Sequence, residues 1–278
     1  MGFPLQSARP TGPSTPHGCF LNEVQDQTDG SGFQRSRSGV DVAVLQLSRL
    51  PNGEPEVFVS IQGEGASIGV PSVFVRLALC NLQCQWCDTR YTWDWTKFDP
   101  RETIVRVEAH DLVRRIAQTG ITNVVITGGE PLLQQGQLAA IATELKSMQH
   151  RIEVETNGTL EPCAQLTELV DQWNVSPKLA NSANAQHKRE IATALGWYAA
   201  CPRAYLKFVV RDSDDIYEVE NLVARYSVPV HKVILMPEGN DAQTVARRAS
   251  WLAEQCCKCG YRFSTRLHVL LWGDERGR

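Results

Sequence analysis

The stretch Cys80-Asn-Leu-Gln-Cys84-Gln-Trp-Cys87-Asp-Thr89 places three thiols in the pattern C-x3-C-x2-C. Thiolates are the ligands of iron–sulfur clusters, and a four-iron cluster has four iron corners to fill. Three sulfurs fill three of them. The fourth iron is then open and can bind and activate a small molecule, whereas a closed cluster only passes electrons. The competing reading is a zinc knuckle or three buried thiols, because C-x2-C also suits zinc. A second group, Cys256-Cys257-Lys-Cys259, has no fourth ligand nearer than His268 and reads as buried or partly exposed thiols. Cys163 and Cys201 stand alone and read as structural, and His268 reads by default as a core or surface histidine, with a place facing the site as the alternative.

Other polar words recur where apolar runs stop. Gln62-Gly63-Glu64-Gly65 surrounds a carboxylate with glycines that let a ligand approach the backbone. Arg76 lies among apolar residues, so it needs an anionic partner: a carboxylated substrate or an internal ion pair. Further along stand Thr127-Gly128-Gly129-Glu130-Pro131, Glu155-Thr156-Asn157-Gly158, Ser176-Pro177-Lys178 and Met236-Pro237-Glu238-Gly239.

These words need elements to position them. Val40, Val42 and Val44 alternate and the phase slips to Leu45 and Leu47, which predicts a strand with a bulge, followed by a Pro51-Asn52-Gly53 turn. Val57 to Ile61 reads as the next strand, and Val73 to Leu79 as the buried strand before the cysteines. Strands then follow at 121–126, 151–155, 173–175, 205–210 and 232–236, with a last one at Leu267–Trp272. Between them Ala109, Leu112, Val113 and Ile116 share a helix face, as do Leu138, Ile141, Ala142 and Leu145, and Val219, Leu222, Val223 and Tyr226. About six βα units in succession predict an α/β fold with a parallel sheet, an incomplete (β/α)6 barrel. The cysteine loop and the four later polar words then fall at strand carboxyl ends, the rim where barrels build their sites.

Length and composition set the bounds. The 278 residues allow one large domain, expected over residues 40–278. Residues 1–39 hold four Pro, six Gly and five Ser and few large apolar side chains, and are expected to be disordered. Glu23, Asp26 and Asp29 weigh against a transit peptide. No run reaches the length of a membrane helix, and a net charge of −3 gives no basic face for nucleic acid. Nine cysteines, an odd number, favour a reducing cytoplasm over a disulfide framework.

Taken together, Ser-Ile-Gln-Gly-Glu-Gly, Phe74-Val-Arg76-Leu, the cysteine loop, Thr-Gly-Gly-Glu-Pro and Ser-Pro-Lys resemble the 7-carboxy-7-deazaguanine synthase family of radical S-adenosylmethionine (SAM) enzymes. The resemblance runs from about Val57 to the end. It implies a radical SAM partial barrel that converts 6-carboxy-5,6,7,8-tetrahydropterin to 7-carboxy-7-deazaguanine with loss of ammonia, on the route to queuosine. It also implies a homodimer fed by an electron donor such as flavodoxin. Cys80, Cys84 and Cys87 would hold a 4Fe-4S cluster. Trp86, Cys87, Asp88, Gly129, Ser176, Pro177, Lys178, Met236, Pro237, Glu238 and Gly239 would contact SAM. Thr89 matches a Mg2+ ligand, and Ile61, Gln62, Gly63, Glu64, Arg76 and Thr127 match pterin contacts. The ending Gly273-Asp-Glu-Arg-Gly-Arg278 matches no fixed pattern, so no role of the terminal carboxylate carries over. Two other readings remain: a glycyl-radical activase, which shares the cysteine motif, and a non-catalytic zinc or iron–sulfur module.

Overall fold

The computed structural model describes residues 33–35, 41–273 and 275–278. Strands run in chain order as β1 (Phe33–Arg35), β2 (Asp41–Ser48), β3 (Val57–Ile61), β4 (Pro71–Leu77), β5 (Ile104–Glu108) and β6 (Asn123–Gly128). β7 (Arg151–Thr156), β8 (Gln172–Val175), β9 (Ala204–Val210), β10 (Val233–Pro237) and β11 (Arg262–Phe263) follow. β4, β6, β7, β8, β9, β10 and β11 pair in parallel in that order. Among the described residues the order does not return from β11 to β4, so the barrel is open. The expected parallel partial barrel is therefore present. β2, β3 and β5 extend it with antiparallel pairs on the β4 side.

Helices close one face of this sheet because their apolar residues recur at three and four. Ala109–Ala117 buries Ala109, Leu112, Val113 and Ile116, and Gln135–Ser147 buries Leu138, Ile141, Ala142 and Leu145. Ser213–Arg225 starts where the Asp212 carboxylate accepts the amides of Asp214 and Asp215; Ala242–Cys259 starts where Asp241 accepts that of Thr244. The latter ends on Gly260, whose φ of 71° suits the left-handed stop. At the centre of the core Trp173 packs edge-on to Trp197 and Tyr198. Fully burying a side chain of this kind contributes about 1.5–3 kcal/mol.

Three expectations change. The last apolar run, Leu267–Trp272, is a helix and not a strand. Six apolar residues fit either form, and the sheet position beside β10 is taken by β11, which the sequence did not signal. β2 pairs with β5 without interruption from Val44↔Glu108 to Ser48↔Ile104, so no bulge interrupts those pairs. Leu45 and Leu47 face the core while Val44 lies on the half-exposed side. β1, inside the span expected to be structureless, pairs with β2 from Phe33↔Ala43 to Arg35↔Asp41. The rest of residues 1–39, and Val40, lie outside the described residues.

Candidate active site

β4 delivers the cysteine loop. Leu79, just beyond its end, holds a φ of 75°, a left-handed conformation costly for a bulky side chain. Its amide donates to the Thr92 carbonyl (2.8 Å) and its carbonyl accepts the Glu130 amide (2.7 Å), which hold the turn in place. Leu82, 2% exposed, anchors the loop in the core. Cys80, Cys84 and Cys87 carry free thiols, and all three line one cavity of about 230 Å3. Burial pushes the Cys80 thiol up to about 12, and burial raises Cys84 as well. Such thiols surrender their protons only to a bound cation, which is what thiolate ligation by iron provides. The donor set thus fits a cluster with three protein corners.

The Gly-Gly-Glu-Pro loop lies directly under this turn. A methyl group on Gly129 would come 2.0 Å from the Leu79 carbonyl oxygen and 2.9 Å from Cys80 Cβ. Gly129 lines the cavity, yet close packing against the cysteine loop already requires it to be glycine. Glu130 is fully buried and ties the next rim loop in place by accepting from Thr156 Oγ1 (2.8 Å) and the Asn157 amide (2.7 Å).

Ile61, Gln62, Gly63 and Glu64 reach the cavity from the end of β3, Arg76 from β4 and Thr127 from β6. Trp86, Asp88 and Thr89 line it from the cysteine loop, Ser176 and Lys178 from beyond β8, and Met236, Glu238 and Gly239 from β10. Lys178 donates to Ser176 Oγ (3.0 Å) and sits 5.3 Å from the centre of the Trp86 ring. Pro177 and Pro237 stand apart from these neighbours. Neither lines the cavity, and Pro177 faces an apolar recess with Leu195 and Phe208.

The cavity wall carries a chain of alternating charges, Lys207–Glu64–Arg266–Asp88. Arg266 Nε donates to Glu64 Oε1 at 3.0 Å, and its Nη1 donates to the Gly239 carbonyl at 2.7 Å. Burial alone would raise the Glu64 carboxyl; Lys207 and Arg266 outweigh it and hold the group well below the usual carboxylate range. Asp88 is likewise lowered, with Arg266 prevailing over burial. Across the cavity, Arg76 Nε donates to Glu56 Oε1 (2.8 Å), so the internal ion pair is formed. Glu56, with no exposed surface, also accepts from Arg276 (2.6 and 2.9 Å) and from the Tyr91 hydroxyl (3.2 Å). Glu155 joins Gln62 Nε2 (3.1 Å) and Thr127 Oγ1 (2.8 Å).

Lys207, Arg266, Glu56 and Trp93 escaped the sequence reading as site residues, while Glu155 stood in one of its rim words. Lys207 carried a usable signal, a lysine inside the apolar run Tyr205–Val210, which demands a buried anion just as Arg76 does. Arg266 and Trp93 carried none. Of the two readings open for His268, the site-facing one holds: it lines the cavity, with Nε2 3.8 Å from Glu64 Oε1. A methyl group on Gly63 would lie 2.1 Å from His268 Nδ1, so glycine there makes room for the imidazole. Cys256 is buried, Cys257 exposed and Cys259 half-buried, all away from the cavity.

Comparison with known proteins agrees with this geometry. The Radical SAM superfamily model matches residues 76–244. A 7-carboxy-7-deazaguanine synthase of Pyrobaculum aerophilum is 38% identical over 227 residues, covering 80% of this chain and 96% of that protein. One from Rhodopirellula baltica is 32% identical over 234 residues, covering 80% and 87% respectively. The crystal structure of QueE from Escherichia coli matches with a TM-score of 0.61 at 26% identity, covering 81% of this chain and 95% of that one.

Proposed function

Since the chain belongs to the 7-carboxy-7-deazaguanine synthase family of the radical SAM superfamily, we propose that its cavity performs that family's reaction with the following division of labour. The enzyme is a carbon–nitrogen lyase. It converts 6-carboxy-5,6,7,8-tetrahydropterin to 7-carboxy-7-deazaguanine and releases ammonia, using a 4Fe-4S cluster, SAM and Mg2+. The single observation that carries the reading is the convergence of three cluster thiols and a wall of paired charges on one cavity.

Cys80, Cys84 and Cys87 would hold the cluster, which together with SAM would supply the radical chemistry of hydrogen abstraction. Trp86, Asp88, Gly129, Ser176, Lys178, Met236, Glu238 and Gly239 surround the SAM, with Pro177 and Pro237 shaping the rim. The Thr89 hydroxyl is a hard oxygen donor of the kind Mg2+ takes alongside substrate oxygens and water. Arg76 spends Nε on Glu56 and turns its outer edge to the pterin carboxylate. Gln62 and Thr127, fixed by Glu155, meet the ring edge together with Ile61 and Gly63. Glu64 acts chiefly by holding Lys207 and Arg266, since both of its oxygens are taken by them. A wall of already paired charges needs little reorganisation when substrate enters, and it excludes water from the reacting face.

A one-electron donor of the flavodoxin kind, a homodimeric assembly and a cytoplasmic setting complete the reading. Their support is the family membership, together with the fact that no described helix is long and apolar enough to cross a membrane. Residues 40–278 act as one domain. The test is anaerobic reconstitution with iron and sulfide, then SAM, reductant, Mg2+ and 6-carboxytetrahydropterin. 7-Carboxy-7-deazaguanine should form in wild type and be absent from Cys84→Ala. A loaded cluster that cleaves SAM and leaves the pterin unchanged would overturn the substrate assignment.

A further inference from the structure

Each cluster thiol accepts one N–H donor. Cys80 Sγ accepts the Leu82 amide (3.5 Å), Cys84 Sγ accepts Asn184 Nδ2 (3.2 Å), and Cys87 Sγ accepts Trp93 Nε1 (3.3 Å). Cys87 Sγ also lies 3.6 Å from Thr89 Oγ1. Two of these donors are side chains, outside the cysteine motif and 6 and 100 residues away from their sulfurs. We infer that Trp93 and Asn184 set the reduction potential of the bound cluster, raising it by donating to two different cysteine sulfurs. The inference rests on the cluster reading of the proposed function.

The direction of both bonds is fixed. An indole nitrogen only donates. The Asn184 amide is oriented by its oxygen, which accepts the Gln83 amide at 2.9 Å, so its nitrogen is the end that meets the sulfur; the same nitrogen reaches Ser182 Oγ at 3.1 Å. Cys84 is only 7% exposed, which leaves water little access to replace a lost donor. Reduction adds one electron, and part of that charge falls on the thiolate sulfurs. A donor aimed at sulfur stabilises the reduced cluster more than the oxidised one, so the potential rises. Removing the donor makes the cluster harder to reduce. Because the two donors serve separate sulfurs, their effects on the equilibrium multiply.

The test compares wild type with Trp93→Phe and Asn184→Leu, singly and together, after anaerobic reconstitution and counting of iron and sulfide. Phe keeps an aromatic ring without the N–H. Leu keeps bulk without charge, and the Gln83 amide it releases is exposed and finds water. An EPR-monitored redox titration should show each single variant with a reduced-to-oxidised ratio about tenfold lower at a fixed potential, about 59 mV for a one-electron couple. The double variant should fall about a hundredfold. Fully loaded variants with unshifted midpoints would overturn the inference, as would variants that lose iron while the remaining cluster keeps the wild-type midpoint. Should a variant take up no cluster, wild type carrying 15N-labelled tryptophan or asparagine decides: pulsed EPR of the reduced cluster should show nitrogen coupling, and its absence overturns the inference. Wild type that binds no iron overturns the cluster reading itself, whereas loaded wild type with unshifted variants overturns only the tuning role.

Discussion

His268 sits where the charges of the cavity can be measured one at a time. Burial lowers its affinity for a proton; Glu64 and Asp88 work against that, while Arg266 and Lys207 add to it, and the balance is below the ordinary 6.5. The folded protein therefore binds fewer protons than the unfolded chain once pH drops below about 6.5. Stability should decline from that point down through the depressed folded value, and the histidine should contribute no slope above it. Denaturant unfolding at pH 7.5 and 5.5 checks this: His268→Gln should lose less stability over the interval than wild type. In an NMR titration Glu64→Gln should move the His268 midpoint further down, because the neighbouring anion is gone. Glu56 offers the opposite test, a buried anion with two arginine partners. Glu56→Gln leaves Arg76 and Arg276 underpaired and should cost about 3 kcal/mol in denaturant unfolding. At this scale legibility followed chain distance. The cysteine motif was readable because its three ligands lie within eight residues. Glu64, Lys207 and Arg266 are joined across 143 and 202 residues, and no local pattern announces such a pairing.

Two consecutive rim loops are stacked in contact, and that contact ranks the glycines. Gly129→Ala drives a methyl group into the Leu79 carbonyl, which is backbone and already held by Glu130. The cysteine loop must shift, so the variant should lose about 1–3 kcal/mol of stability and take up less iron per chain. The nearest atoms to a methyl group in Gly63→Ala all belong to the His268 side chain, whose ring can swing away. It should unfold close to wild type, retain its iron and turn over pterin poorly, which separates support of the cluster from support of the substrate. Elements with their own periodicity were legible: the helix faces at 109–116, 138–145 and 219–226 and all six main barrel strands emerged near their observed bounds. Leu267–Trp272 was not, because Val269 alone is deeply buried while Leu270 and Leu271 are 42% and 53% exposed. Its register comes from a long-range bond, the Leu267 amide to the Gly63 carbonyl at 2.8 Å. β5 was missed for a related reason. Ile104 to Glu108 has only three apolar residues and becomes a strand by pairing with β2.

The whole molecule is an open barrel whose parallel strands send their carboxyl ends to one rim, with the antiparallel β2, β3 and β5 added on the β4 side. Among the described residues, the side chains lining the cavity run from Phe58 to Arg278. Near that end Arg276 ties the chain back by stacking 3.6 Å over the Tyr91 ring and pairing with Glu56. The site is thus assembled from the barrel and its final residues. β1 pairs three residues with β2, from Phe33↔Ala43 to Arg35↔Asp41, so what it supplies is ladder bonds. Shortening the chain from its start should then separate stability from function. A chain beginning at Phe33 keeps β1 and should match wild type in melting temperature, iron content and product formation. One beginning at Val40 loses the β1 ladder and exposes an edge of β2. It should melt a few degrees lower for a loss of about 1 kcal/mol, yet bind its cluster and form product at the wild-type rate. Loss of product formation in a shortened chain that still holds its iron would mean that the early residues reach the substrate, and the site would have to be redrawn to include them.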